Sequence, residues 1–367
     1  MRVLVVNTGS SSLKLSVLDG DRTVGATIVE RWSGEDDLEP LRDFLDEVGS
    51  LDAVGHRIVH GGPELTESTI VDEHVLEYLD SVEDLAPLHN PRGVAAIRAV
   101  REVLGAMPEV ACFDTSFHAD IPAAAHTFAL PREWNRQWQL RRYGFHGLSH
   151  GYAVRRAGEL VGRPLEDLRI VSCHLGSGAS LAAVVGGRSV DTTMGFTPSD
   201  GLVMATRPGS VDPGLVLWLL SRRGLTLDEV EDAFEHGSGL KGLSGTAGDL
   251  RDVLKVRACG GAEAGLAYDV FIHRLRREVG AMTASAGGVD VLVMTGGIGE
   301  NSPQVRADGA AGLGHLGVRI DEALNATTSS DADISDPSST VRTVVVGARE
   351  DLEIARETRQ ALAVRSA

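Results

Sequence analysis

Apolar residues along the chain follow two rhythms. Val3 to Val6 form an unbroken run that stops at Asn7, passes through a Gly/Ser stretch and resumes from Leu13 as the alternating LKLSVL, which predicts two strands joined by a turn. The same order returns in IVSCHLGSGASLAAVVGGRSV at 170–190, so the simplest reading is a duplication. A third apolar run, VLVMTGGIGEN at 291–301, predicts a strand and a glycine turn. Between these runs the spacing lengthens to the helical period in PRGVAAIRAVREVLG from Pro91, DPGLVLWLLSRRG from Asp212, and the stretch from Ala262 to Ala286. The chain closes with VRTVVVG, a strand, and REDLEIARETRQALAV, a helix with acids in its first turn.

Strands alternating with helices indicate an α/β architecture. Two similar halves predict two α/β domains facing one cleft, an N-terminal domain over 1–145 and a C-terminal, nucleotide-binding domain over 146–367, with the last helix packing back on the first. The polar segment NATTSSDADISDPSST at 325–340 reads as a surface loop.

At 367 residues the chain is long enough for two cores. Its 52 acidic against 35 basic residues, net charge −17, argue against a nucleic-acid or anionic-membrane partner, because the basic groups are not clustered. No signal-peptide pattern opens the chain, and the longest later apolar run, LVLWLL at 215–220, is too short to span a bilayer. Cys112, Cys173 and Cys259 are scattered, with no CxxC pair, which points to a reducing, cytoplasmic setting and away from a thiol metal site.

No Walker A sequence is present, and no GxGxxG opens a helix after the first strand, so the three Gly-rich turns are the nucleotide candidates. Their backbone N–H groups can form anion-binding concavities. In the first turn, Thr8, Ser10, Ser11 and Ser12 supply more donors than a hairpin needs, although a plain hairpin is the competing reading. Arg57, in GHRIVHGG at 55–62, lies among apolar and imidazole neighbours, where an anionic ligand would justify its desolvation; a surface salt bridge is the alternative. Arg207, in GLVMATRPGSVDPG, has the same character. His56 with His60, and His146 with His150, are four apart, yet neither pair has an HExxH pattern or a thiol to complete a zinc site. His146, in RRYGFHGLSH, suits a donor to a charged ligand, although for a single histidine a structural role is the stronger reading. Asp114, in FDTSFH, suits either a metal-orienting carboxylate or a turn cap. Glu350 and Asp351, at a helix start, complement the macrodipole without further function.

In chain order, NTGSSSLK, GHRIVHGG, APLHNP, FDTSFH, RRYGFHGLSH, HLGSGAS, TRPGSVDPG, TGGIGEN and REDLEIARET together resemble the acetate kinase (acetokinase) family, within the superfamily of actin, Hsp70-type chaperones and sugar kinases. The resemblance implies a duplicated two-domain actin-like (ribonuclease H-like) ATPase fold with the active-site cleft between the domains. It implies reversible, Mg²⁺-dependent phosphoryl transfer from ATP to acetate, giving acetyl phosphate and ADP by direct in-line transfer, with Mn²⁺ able to replace Mg²⁺, in a homodimer. Propionate or butyrate kinase activity is the nearest alternative, and a nucleotide-switched actin- or chaperone-like binding protein a more distant one.

By the same resemblance Asn7 reaches the transferred phosphoryl group, with Ser10, Ser12 and Lys14 in the turn that supports it. Arg57 and Arg207 hold the carboxylate and stabilise the transition state, His146 donates to phosphoryl oxygens, and His89 lies nearby. Asp114 and Glu350, with Asn7, position the metal. His174, Leu175, Gly176, Ser177 and Gly178 contact nucleotide phosphates, and Gly296, Gly297, Ile298, Gly299 and Asn301 lie under the adenosine. Val59, Leu88, Phe145 and Pro198 line the methyl pocket. Three features depart from the family pattern: HLGSG replaces HLGNG, AREDL stands where NEE is usual, and the stretch between Lys14 and Gly55 is short.

Overall fold

A computed structural model describes every residue except 10, 11, 33, 35, 36, 330, 366 and 367. Ser10 of the expected phosphate turn therefore lies outside the described residues. The first apolar run and its sequel form a meander, β1 (Arg2–Thr8), β2 (Ser12–Asp19) and β3 (Arg22–Glu30). Asp19 pairs with Arg22 across a two-residue turn, and Gly20 takes the positive φ of 59° that such a tight connection favours. β4 (Ala53–Ile58), β5 (Thr69–Ile70) and β6 (Glu109–Phe113) complete a six-stranded sheet in the order β3-β2-β1-β4-β6-β5. β1, β4 and β6 run parallel and are buried along most of their length, as strands covered on both faces are.

The second half repeats this plan. β7 (Arg169–Leu175), β8 (Ala179–Val185) and β9 (Arg188–Thr192) form the meander; β10 (Val291–Thr295), β11 (Ala332–Asp333) and β12 (Arg342–Val345) complete the order β11-β12-β10-β7-β8-β9. Strand directions match one for one. Each meander also has a register shift beside its third strand, at Val17/Leu18 and at Ala183/Val184. The duplication expected from the apolar runs is thus present strand for strand.

Alternation along β1 divides the first core. Leu4 and Val6 join a cluster with Leu13, Leu15, Val54 and Val100, whereas Val3 and Val5 join Val110, Cys112, Ile354 and Ala355 on the other face. The last two belong to the C-terminal helix, Glu350–Arg365, so that helix covers one face of the first sheet. Position 55 of β4 must be glycine for this, because a Cβ there would overlap Thr358 and Ile354. The chain accordingly forms two compact units, Met1–Ala119 with Phe145–Tyr152 and Arg349–Ala367, and Asp120–Gly144 with Ala153–Ala348. It passes between them after residues 119, 144, 152 and 348 rather than once near 145. Residues 145–152 join the first unit because Gly147 N donates to the Asp114 carbonyl at 2.8 Å.

Two local expectations are corrected. The glycines after β10 form no open turn but a short helix, Gly296–Asn301, starting directly at the strand end. The polar segment 325–340 is not simply a surface loop: it contains the end of the helix Glu322–Thr327 and strand β11, and Asn325 and Ser335 are buried. Arg306, whose side chain is wholly buried, donates to Asn325 Oδ1 and the Asn325 carbonyl, both at 2.7 Å, so Asn325 serves a buried cation; Ser335 Oγ instead accepts from Thr343 N at 2.7 Å. Among the described residues no helix is long and apolar enough to cross a membrane.

Candidate active site

In the first unit, Asn7, Arg57 and Asp114 stand at the carboxyl ends of β1, β4 and β6, the place where open α/β sheets bind ligands. Arg57 links them. Its Nε lies 3.2 Å from both Asp114 oxygens and its Nη2 donates to Oδ2 at 2.6 Å; Nη1 donates to Asn7 Oδ1 at 3.2 Å and to the Thr8 carbonyl at 3.3 Å. Asn7 Nδ2 in turn donates to Glu350 Oε2 at 2.9 Å. Four of the expected residues thus form one chain of hydrogen bonds.

The electrostatics follow from this arrangement. The Asp114 side chain is only 2% exposed, and burial, reinforced by the Glu350 charge, raises its carboxyl above the usual range against the opposing pull of Arg57. Burial alone would lower the Arg57 guanidinium, but Asp114 and Glu350 outweigh it and hold it above its ordinary value. Both Asp114 oxygens accept from Arg57, and Glu350 does more than complement a dipole, since it accepts from Asn7, while its neighbour Asp351 is taken by Arg349 at 2.8 Å.

His146 precedes the helix Gly147–Val161 with φ of 57°, the one left-handed non-glycine residue among the site candidates. Such a conformation costs on the order of 1–3 kcal/mol and tends to persist where function requires it. His56 and His60 lie in the buried part of the first unit. His56 bonds Glu109 at 2.8 Å, Glu109 also receives Arg101, and burial pushes His60 down to about 4. No group of three or more His, Cys, Asp or Glu able to hold a metal occurs among the described residues.

The first glycine turn is closed by Gly9 N donating to the Ser12 carbonyl at 2.8 Å, with Lys14 exposed on β2 opposite Asn7. Of the methyl-pocket candidates in this unit, Val59 is buried and Phe145 is fully enclosed, its carbonyl bonded to the His118 ring at 3.1 Å. Leu88 is half exposed and His89 partly buried.

In the second unit, His174 occupies on β7 the position Asn7 has on β1. The HLGSG turn is closed by Gly176 N donating to the Gly178 carbonyl at 2.9 Å. Ser177 is exposed, and its carbonyl accepts from Ala205 N at 3.0 Å, so backbone bonds fix the turn whichever side chain stands there. Gly296 comes against the end of β7: a Cβ there would be 2.8 Å from the Leu175 carbonyl oxygen, and its φ is 77°. Asn301 Nδ2 closes the glycine helix onto the Gly297 carbonyl at 3.0 Å. Arg306, which sequence reasoning missed, holds the Gly299 and Glu300 carbonyls at 2.9 and 2.6 Å. Its signal was an arginine on the buried face of the helix Pro303–Ala311, next to Val305.

Arg207 differs from Arg57. Its Nη1 donates to the Pro198 carbonyl at 2.6 Å, and it makes no ion pair among the described residues. Burial lowers its guanidinium, with only a partial counter-effect from Glu235. A desolvated cation held by a carbonyl rather than in an ion pair is suited to receive an anion.

The model of the "Acetokinase family" matches residues 38–356, a span that includes Arg57, Asp114, His146, Arg207 and Glu350. The chain belongs to the acetokinase family. A relative named acetate kinase, from Synechococcus sp. (strain JA-2-3B'a(2-13)), is 48% identical over 88% of this chain and 78% of its own length. The crystal structure of Porphyromonas gingivalis acetate kinase superposes with a TM-score of 0.91 at 34% identity, covering 98% of this chain and 99% of that one. A propionate kinase from Francisella tularensis subsp. tularensis SCHU S4 matches with the same TM-score, identity and coverage. The NTGSSSLK turn precedes the span matched by the acetokinase model.

Proposed function

We infer that the protein is an ATP:acetate phosphotransferase, forming acetyl phosphate and ADP reversibly. The observation that carries this reading, beyond family membership, is the contrast between the two arginines. Arg57 is fixed by an ion pair with Asp114, whereas Arg207 is desolvated, makes no ion pair among the described residues and can take up substrate charge. Phosphoryl transfer through a loose transition state needs positioning and charge neutralisation more than covalent help. Acetate is already ionised at neutral pH. It needs arginines rather than the carboxylate base a sugar hydroxyl would require.

In this reading Arg57, Arg207, His146, Asn7 and Asp114 act on the reacting groups. Lys14, Ser10, Ser12, His174, the 175–178 turn and the 296–301 segment bind the nucleotide. Asn7, Asp114 and Glu350 are suited to a hard divalent cation, since they offer amide and carboxylate oxygen donors joined in one hydrogen-bonded group. Mg²⁺, or Mn²⁺ in its place, would neutralise phosphate oxygens there. Glu350→Gln keeps an acceptor for Asn7 but removes the charge, and should raise the Mg²⁺ concentration for half-maximal rate about tenfold or more without lowering the melting temperature. A lowered melting temperature with unchanged metal dependence would instead assign Glu350 to the helix end.

Val59, Leu88, Phe145 and Pro198 are the proposed acyl-pocket residues. The close match to a propionate kinase makes propionate the second substrate to consider. One methylene in an apolar pocket is worth about 1–3 kcal/mol, so a preference for acetate of about tenfold is expected. Val59→Ala should raise kcat/KM for propionate relative to acetate and leave the KM for ATP nearly unaltered. An unchanged ratio would remove Val59 from the pocket.

Leu215, Leu217, Trp218, Leu225 and Leu227 are all exposed on and beside the helix Pro213–Arg222, an apolar surface that supports a homodimer; sedimentation velocity distinguishes monomer from dimer. The three cysteines are free, which supports a reducing, cytoplasmic location. The activity itself is tested in reverse: with acetyl phosphate, ADP and Mg²⁺ the protein should form ATP, and failure to do so would overturn the reading.

A further inference from the structure

Arg207 lies in a stretch without regular secondary structure, residues 193–212, yet the backbone there is closely specified. Ser210 N donates to the Gly201 carbonyl at 3.1 Å, and Gly201 N points back to Ser210 Oγ at 3.1 Å, which closes a neck around the loop 201–210. Asp200 clasps that neck. Its Oδ1 accepts from Gly201 N at 2.8 Å and from Ser210 Oγ at 2.6 Å. Its Oδ2 lies 3.4 Å from Arg142 Nη1, which also donates to the carbonyls of Thr193 and Met194 at 2.9 and 3.0 Å. One carboxylate therefore joins both ends of the loop to the segment leaving β9.

Two glycines make room for the clasp. A Cβ at Gly195 would lie 2.9 Å from Asp200 Oδ2, and a Cβ at Gly209, where φ is 72°, would overlap the Gly201 and Leu202 carbonyls. The far side of the loop is pinned as well: the Met204, Ala205 and Thr206 carbonyls accept from Leu240, Lys241 and Ser238 N at 2.9, 2.9 and 2.8 Å. Among the described residues no carboxylate hydrogen-bonds the Arg207 side chain. Its position is set by the loop backbone and the Pro198 carbonyl, two residues before Asp200.

We propose that Asp200 is a positioning residue for Arg207, holding the neck of its loop so that the guanidinium stands where substrate charge develops. The proposal rests on the reading of Arg207 given above. A displacement of about 1 Å in a charge-stabilising group can cost on the order of 10²-fold in rate. A side chain one-third exposed and outside the apolar core is otherwise a poor candidate for so large an effect.

The test is a double-mutant cycle on the full-length protein, reading kcat, both KM values and the melting temperature for Asp200→Ala, Arg207→Ala and the pair. Asp200→Ala should lower kcat by about 10-fold to 10²-fold, with KM for ATP within about twofold. It should add almost nothing once Arg207 is already alanine. Asp200→Asn keeps an oxygen acceptor for Gly201 N and Ser210 Oγ, and should recover most of the rate. Wild-type kcat in Asp200→Ala, or losses that multiply in the double variant, would overturn the proposal while leaving the activity assignment intact. Wild-type turnover in Arg207→Ala would overturn the role of Arg207 and the proposal with it. Should Asp200→Ala not fold, Ser210→Ala, which removes one bond of the neck, is taken through the same cycle.

Discussion

Replacing Arg207 by alanine is expected to lower kcat/KM for acetate by about 10²-fold or more, the scale of losing one donor aimed at transition-state charge. Little stability should be lost with it. Arg207 pairs with no carboxylate among the described residues, so its removal leaves no buried charge behind, only the Pro198 carbonyl without its donor, a cost of about 1 kcal/mol. Added guanidinium ion should restore part of the rate by entering the vacated space. Steady-state kinetics beside a urea titration separate the two effects. Wild-type turnover would remove Arg207 from the chemistry.

Arg57→Ala should cost activity on a similar scale but behave differently in stability. Asp114, 1% exposed, would lose the partner that meets both its oxygens, and breaking a buried pair from one side costs about 3–5 kcal/mol. The pH dependence has a definite sign. Burial and Glu350 already raise the Asp114 carboxyl, and removing the guanidinium raises it further. A group whose folded pKa lies above its unfolded value contributes stability at low pH that is lost as pH rises through the folded pKa. The variant should therefore be most destabilised near neutrality and partly recover in mild acid. Adding Asp114→Asn should recover stability at neutral pH but not turnover. Urea unfolding at two pH values decides it; equal destabilisation at both would contradict the account of the pair.

Sequence alone treats these two arginines alike, since each is set among glycines and apolar residues. What separates them is a carboxylate 57 residues away from Arg57, placed by the parallel pairing of β4 with β6. The pairing could be anticipated from the apolar runs, but the side-chain partner could not. The duplication was legible for the same reason the cores are: Val3–Val6 and Ile170–Cys173 are runs that only a sheet covered on both faces accommodates. The glycine helix at 296–301 was not legible, because paired glycines carry the signature of a turn, and the close approach of Gly296 to β7 at Leu175 is a contact far away in sequence. Nor was the burial of Asn325, since the cation it serves lies 19 residues earlier. The clasp at Asp200 was hidden in a different way: an acid before glycine reads as a simple turn, and its partners Arg142 and Ser210 lie 58 and 10 residues away.

The central claim is that the phosphoryl acceptor is a short carboxylate. The most direct measurement incubates the protein with ATP and Mg²⁺ against a panel of acetate, propionate, butyrate and sugars, trapping acyl phosphate with hydroxylamine. The account predicts hydroxamate with acetate, about tenfold less efficiently with propionate, poorly with butyrate, and no phosphorylated sugar. ADP formed only in the presence of a sugar, with no hydroxamate from any acid, would contradict it.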